Sequence, residues 1–303
     1  MNLLDSMRVF SKLAETTSFT RTAEHLGLPK ATVSGAIQNL EERLGTRLFN
    51  RTTRTVKLTQ DGLSFYERCK DTLSDVDELE TMFKAGTKKV GGRIRIDMSA
   101  GLARSVVIPR LPEFLEQYPN IEIELNATDR KVNVITEGFD LVIRAGTSAE
   151  SGLIARKIAE FEMVNCASRD YVKKFGKPKT LEDLRKHQIV DYVPNLGTKS
   201  EGFDYWDGEK TIDIPVQGSI TVNNVDSYLS ACLAGLGIIQ MPSVTVQKYF
   251  ASGELVEILP NYQSKAMPIC LVYPHRRLLA QRVQIFMGWV TQAIQDHLDK
   301  FQK

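Results

Sequence analysis

Thr32, Ser34 and Gln38 lie in a segment where Val33, Ile37, Leu40 and Leu44 recur at helical spacing. The apolar four predict one buried stripe. Away from it stand Ala31, Ser34, Gly35, Gln38 and Asn39, all small or uncharged polar, where a surface helix usually carries Glu and Lys. A face without bulk or negative charge suits a DNA major groove, and hydroxyl and amide side chains there can read base edges. Lys30 at the start of this helix and Thr20 on the preceding one are further candidate DNA-binding residues. Arg47, Arg51, Arg54 and Lys57 follow within a few residues, and their chemistry is phosphate neutralisation.

The elements that must position these side chains are short. Leu3, Met7, Phe10 and Leu13 predict a first amphipathic helix. Thr20 is the expected N-cap of a second, and Ala23 is small where the second and third helices approach. Gly27 marks a sharp turn, and Pro29 fits the first turn of the third helix, where its missing N–H costs nothing. The alternating, β-branched RTTRTVKLT reads as a hairpin, so Arg51, Thr52, Thr53 and Arg54 are expected on a wing beside the DNA backbone. Residues 1–58 hold nine Lys/Arg and five Asp/Glu, a balance of +4. The whole chain is +2, so the rest comes to −2, and basicity is concentrated at the N-terminus.

The stretch MRVFSKLAETTSFTRTAEHLGLPKATVSGAIQNLEERLGTRLFNRTTRTVKLTQDG resembles the N-terminus of LysR-type transcriptional regulators. Weaker similarity continues through EGFDLVIRAG, AGLGIIQMP and PICLVYPHRRLLAQRVQIFMGWV. The resemblance implies a winged helix-turn-helix head (1–59), a linker helix for dimerisation (60–88) and an effector-binding, regulatory domain (89–303). It implies an α/β fold for the last, with two lobes like a periplasmic binding protein. It also implies a homodimer that assembles into a tetramer, double-stranded DNA and a small-molecule effector as partners, and no cofactor. The sequence departs from the family at Pro29, where a Ser cap is common, and at Gly35, where Arg is common. Gly35 costs ~1 kcal/mol of helix propensity relative to Ala.

At 303 residues the chain is long enough for two or three domains, and at 42% hydrophobic it can bury ordinary cores. No segment reaches the ~18 uninterrupted apolar residues of a membrane span. The N-terminus opens into an amphipathic helix with no signal-peptide core, which predicts a cytoplasmic protein. Cys69, Cys166, Cys232 and Cys270 lack any C-x-x-C spacing and sit in apolar runs, so they read as core positions and not as metal ligands. Some members of the family sense peroxide through a cysteine pair. A redox sensor is therefore one alternative, and an effector-independent repressor is another. The four histidines are scattered, and no G-x-S-x-G elbow or P-loop appears, which argues against an enzyme.

From Gln60 to about Lys88, Tyr66, Cys69, Leu73, Val76, Glu80 and Phe83 step by three and four. This predicts a long helix whose seam a second subunit covers. From Gly92 the pattern changes to alternating strands and helices, among them RIRIDMS, a helix over 106–118, IEIELNA, a short helix over 132–137, and DLVIRAG. That alternation predicts a mainly parallel sheet. Ligands of open α/β sheets sit beyond strand ends near helix N-termini, where unpaired N–H groups favour an anion. Two such junctions are Ser99-Ala100-Gly101 and Asn223-Asn224. Thr128 ends a strand beside them, while Phe203 and Trp206 are expected to close over a ligand. Ser99 and Asn224 read equally as helix caps. Arg144 either binds an anion or pairs with Asp140 or Glu137.

Overall fold

The computed structural model describes residues 1–51, 56–81, 90–146, 152–198, 200, 202–274 and 279–300. It divides into two compact units, Met1–Arg93 and Ile94–Lys303.

The first unit opens with α1 (Leu3–Thr16), α2 (Phe19–Leu26) and α3 (Lys30–Leu44). A two-stranded antiparallel hairpin follows, β1 (Phe49–Arg51) and β2 (Val56–Leu58), and then α4 (Gln60–Thr81). The cap of α2 is Ser18, whose side chain accepts from the Arg21 amide, and not Thr20, which is exposed one residue inside the helix. Pro29 occupies the cap position of α3 rather than its first turn and makes no side-chain cap bond. Gly27, at φ 61°, ends α2 in the left-handed region that a glycine enters without strain. On α3, Val33, Ile37 and Leu40 are buried as expected, but the fourth core residue is Ala36; Leu44 is 41% exposed. Leu3 of α1 is also exposed, and Met7, Phe10 and Leu13 carry that helix's packing.

Phe10 is the hub of this core, with ring centroids 5.3 Å from Phe49, 5.1 Å from Phe65 and 6.3 Å from Tyr66. Phe65, Tyr66 and Leu73 of α4 pack against the same cluster, and Cys69 is fully buried in it. Of the expected inter-subunit seam, Cys69 therefore lies in the head's own core, and Tyr66 and Leu73 are half-buried against it. Phe83 lies outside the described residues. Gly62 explains how α4 comes so close: a Cβ there would fall 2.0 Å from the Leu48 carbonyl oxygen.

The second unit contains a five-stranded sheet in the order β4-β3-β5-β14-β6. Its strands are β3 (Gly92–Met98), β4 (Ile121–Ala127), β5 (Leu141–Ala145), β6 (Leu153–Phe161) and β14 (Met267–Pro274). A three-stranded sheet, order β12-β7-β13, combines β7 (Met163–Ser168), β12 (Ile239–Pro242) and β13 (Leu255–Glu257). Two pairs complete the strands. β8 (Ile189–Tyr192) runs parallel to β11 (Gly218–Val222), and β9 (Phe203–Trp206) forms a hairpin with β10 (Thr211–Ile214). The expectation of a mainly parallel arrangement is corrected. β3 is parallel to β5, but β14 is antiparallel to β5 and β6, and β7 is antiparallel to both neighbours. The physical reason is β14, a late strand that returns to the first sheet, with only Glu162 separating β6 from β7.

Helices flank these sheets. The first begins at Ala100, not 106: α5 (Ala100–Leu102), a π turn (Ala103–Val107) and α6 (Ile108–Gln117) run on continuously. The wider turn lets the Ile108 amide reach the Ala103 carbonyl just where Pro109 and Pro112 cannot donate. Residues 134–138 form a turn rather than a helix: the Asn133 side chain caps it by accepting from the Thr136 amide, but Gly138 at positive φ ends it within one turn. α7 (Arg169–Phe175), a 3-10 turn (Glu182–Lys186), α8 (Val225–Leu233), α9 (Ser243–Ser252) and α10 (Gln281–Asp299) complete the unit.

Candidate nucleic-acid interface and ligand cleft

On α3, Lys30, Ala31, Thr32, Gln38 and Asn39 are exposed, and Ser34 and Gly35 are half-buried. The core stripe turns this polar face outward. Nothing lies within 4 Å of the Cβ that Gly35 lacks, so packing does not demand glycine there. Gln38 donates to Glu42 Oε1 at 3.1 Å, one turn along the helix. Glu41 faces the other way: its Oε1 accepts from the Leu48 and Phe49 amides at 2.9 and 3.1 Å, tying the hairpin's first strand to α3. Arg47 and Lys57 are exposed on this hairpin side. Arg51 ends β1; Thr52, Thr53 and Arg54 lie outside the described residues.

The second unit holds a cleft of ≈ 1210 Å³. Ser99, Gly101, Arg144 and Phe203 line it, and Ala100, Thr128 and Asn224 border it without lining it. Ser99 holds the cap position of α5 with no side-chain cap bond, whereas Asn224 caps α8 by accepting from the Ser227 amide at 2.8 Å. Phe203 is 1% exposed and belongs to a core cluster with Tyr171, Leu184 and Ile238, so it is wall and not lid. Trp206 is not among the lining residues; the Lys265 ammonium, which does line the cleft, sits 4.0 Å from its ring centre.

Arg144 pairs with neither Asp140 nor Glu137. It donates to Asp97, to the Thr128 carbonyl and, at 2.9 Å, to the Arg130 carbonyl. Asp140 accepts from the Arg95 amide, and Glu137 pairs with Arg130, which holds its carboxyl down to about 2. Asp97 is fully buried. Burial pushes its carboxyl up to about 6, against the lowering effect of Arg144 and the Asn126 amide.

Two polar residues of this unit escaped sequence reasoning. Asp129 accepts from the Ala100 and Val225 amides at 3.2 and 2.8 Å. Gln240 lines the cleft; its Nε2 lies 2.8 Å from Asn165 Oδ1, the Asp204 carbonyl and Ser264 Oγ, and its Oε1 accepts from the Asp204 amide. Asp129 stands in no local motif, and Gln240 lies within AGLGIIQMP, where the glycines and the apolar run drew the reading. The one available signal was Asp129 directly following a strand whose end had been marked at Thr128.

All four cysteines are buried and unbridged. Burial raises the thiols of Cys69, to about 12, and of Cys270; Cys166 is raised by its contact with Cys232 and by burial. Protonated, buried thiols make poor peroxide-reactive centres. Among the described residues no group of three or more His, Cys, Asp or Glu could hold a metal, and no helix is long and apolar enough to cross a membrane.

A basic helix-turn-helix head with a polar outward helix, followed by an α/β unit with a lined cleft, defines a ligand-responsive DNA-binding regulator rather than an enzyme. Residues 4–63 match the bacterial regulatory helix-turn-helix model of the lysR family, and residues 87–295 match the LysR substrate binding domain. The chain belongs to the LysR family of transcriptional regulators. It is 44% identical over 299 residues to the HTH-type transcriptional regulator YhjC of Escherichia coli (strain K12), covering 99% of this chain and 100% of that one. It is 35% identical over 292 residues to an HTH-type transcriptional repressor of Pseudomonas aeruginosa (strain UCBPP-PA14), with 96% and 92% covered. Among solved structures, the LysR-type regulator CrgA from Neisseria meningitidis matches with a TM-score of 0.59 at 28% identity, covering 96% of this chain and 98% of that one.

Proposed function

We propose that the outward face of α3 reads an operator in the DNA major groove, with Thr32, Ser34 and Gln38 at base edges and Lys30, Ala31, Gly35 and Thr20 beside them. Arg51, Thr52, Thr53 and Arg54 meet backbone phosphates from the wing. Functionally the chain divides into a head (1–59), a linker helix (60–88) and a regulatory domain (89–303). It acts in the cytoplasm as a homodimer that pairs into a tetramer, which would set two recognition helices about one DNA turn apart, ~34 Å.

The observation that carries this reading is the α3 face over residues 30–39, which has no acidic side chain, while the opposite stripe is buried. Footprinting upstream of its own and neighbouring genes, with and without candidate metabolites, tests it. Gln38→Ala is expected to cost ~1–3 kcal/mol at one operator position. Arg54→Ala should weaken binding to every sequence and lower the salt slope by about one. Sequence-selective loss in Arg54→Ala with an unchanged slope would contradict these roles.

The effector is a small anionic metabolite held in the cleft near Ser99, Gly101, Arg144 and Phe203, with Ala100, Thr128 and Asn224 at its edge. The support is chemical: the amides of Ala100 and Val225 already take a carboxylate, that of Asp129.

A further inference from the structure

Asp129 stands two residues beyond β4 and reaches two helix starts that are distant in sequence. Oδ1 accepts from the Ala100 amide at 3.2 Å and Oδ2 from the Val225 amide at 2.8 Å. The first amide opens the helical run 100–117 and the second opens α8. Main-chain donors at helix starts bind a carboxylate through charge-assisted bonds. The two ends are in contact: a Cβ on Gly101 would lie 3.9 Å from Val225 Cγ1. A second link joins the same elements, Arg104 to Asp226 at 2.5 Å, but both side chains are more than half exposed or close to it, so this pair adds little. Asp129, Gly101 and Val225 all line the cleft. Arg144 is near enough that the charge of Asp129 helps keep it cationic, which offers a released Asp129 carboxylate a second partner.

We propose that Asp129 is a latch: its carboxylate holds the two sides of the cleft together, and a bound ligand changes the regulatory domain by turning that carboxylate out. The regulatory half of the proposal rests on the cleft being the effector site; the latch itself does not. An internal carboxylate competes with any ligand carboxylate for the same amides. Apparent ligand affinity is then the intrinsic affinity multiplied by the fraction of molecules that are unlatched.

The test uses the full-length protein, with sodium acetate as the probe and sodium chloride at equal ionic strength as the control. Asp129→Ala is expected to melt ~4–10 °C lower, as loss of two charge-assisted bonds in a domain of this size implies. Acetate should restore most of that loss in the variant and leave the wild type unchanged; chloride and methylammonium should restore none. Asp129→Asn keeps one acceptor oxygen and should fall less and respond little. If Asp129→Ala does not fold, Asp129→Ser, whose hydroxyl can accept from one amide but cannot span both, should fall less and show a smaller acetate response that the wild type still lacks. No fall in melting temperature, or an equal acetate response in wild type and variant, overturns the latch. Asp129→Ala should also alter the operator footprint without any metabolite. Acetate rescue together with a wild-type footprint would overturn the regulatory half, and would count against the cleft as the effector site rather than against the latch.

Discussion

Asp97 and Arg144 meet on neighbouring strands of the five-stranded sheet, the carboxylate wholly buried and the guanidinium 15% exposed. Desolvation outweighs the ion pair, so the carboxyl sits at about 6, above its ordinary 3.8. Between about pH 4 and 6 the native state therefore holds a proton there that the unfolded chain has released. The stability this group contributes is present below about pH 4 and is lost as pH rises through about 6. Carboxyl NMR is expected to show Asp97 titrating with a midpoint near 6, and Arg144→Leu should move it higher, since the guanidinium lowers it. A midpoint near 4 would mean that the ion pair with Arg144 offsets the burial.

Gly35 is half-buried in the middle of α3, with open space where a side chain would be. Gly35→Ala is expected to stabilise the head by ~0.5–1 kcal/mol, read as a higher midpoint in urea with an unchanged slope. Any change in operator preference accompanying it would assign that position a part in sequence reading.

Gly62 is the opposite case. Its missing Cβ is filled by the Leu48 carbonyl, and neither α4 nor the hairpin can retreat without breaking the bonds from Thr59 Oγ1 to the Arg47 carbonyl and from the Gly62 amide to Thr59 Oγ1. Gly62→Ala is expected to destabilise the head by ~1–3 kcal/mol or more, although alanine is the better helix former. Thermal unfolding followed by circular dichroism decides the sign.

A fragment ending at Thr59 lacks Phe65, Tyr66, Cys69 and Leu73, all part of the head's hydrophobic cluster. Losing several large buried groups is expected to remove more than ~3 kcal/mol, enough to unfold a domain of this size. A fragment ending at Thr81 should fold. For the same reason Leu73→Lys is expected to lower head stability as well as any assembly through α4, so sedimentation must be read beside a melting curve.

The head was largely legible because its information is local. Val33, Ile37 and Leu40 repeat at one period, and Gly27 announces its turn. The caps were less so: Ser18 and Thr20 are both good capping residues two positions apart, and only the backbone at Ser18 decides between them. In the second unit the unread features join residues remote in sequence. Asp129 and Val225 are 96 apart, and Asn165 meets the Leu259 carbonyl across 94. β6 escaped notice because Arg156 and Lys157 interrupt its apolar alternation, and both are exposed. α9 lay hidden in β-branched SVTVQKYF, where tertiary packing of the fully buried Val246 overrides propensity.

Cys69 under the Met7 carbonyl, Gly62 against Leu48 and the Phe65 ring against Phe10 make the first three turns of α4 inseparable from the domain that carries α3. The 22 residues of α4 span about 33 Å. Helix and head thus form a crank with a single rigid joint: a few degrees of roll at the far end of α4 sweep the tip of α3 through an arc, with no soft hinge between them to absorb it. A twist of this shaft would let the protein change the spacing of its DNA contacts without rebuilding any of them.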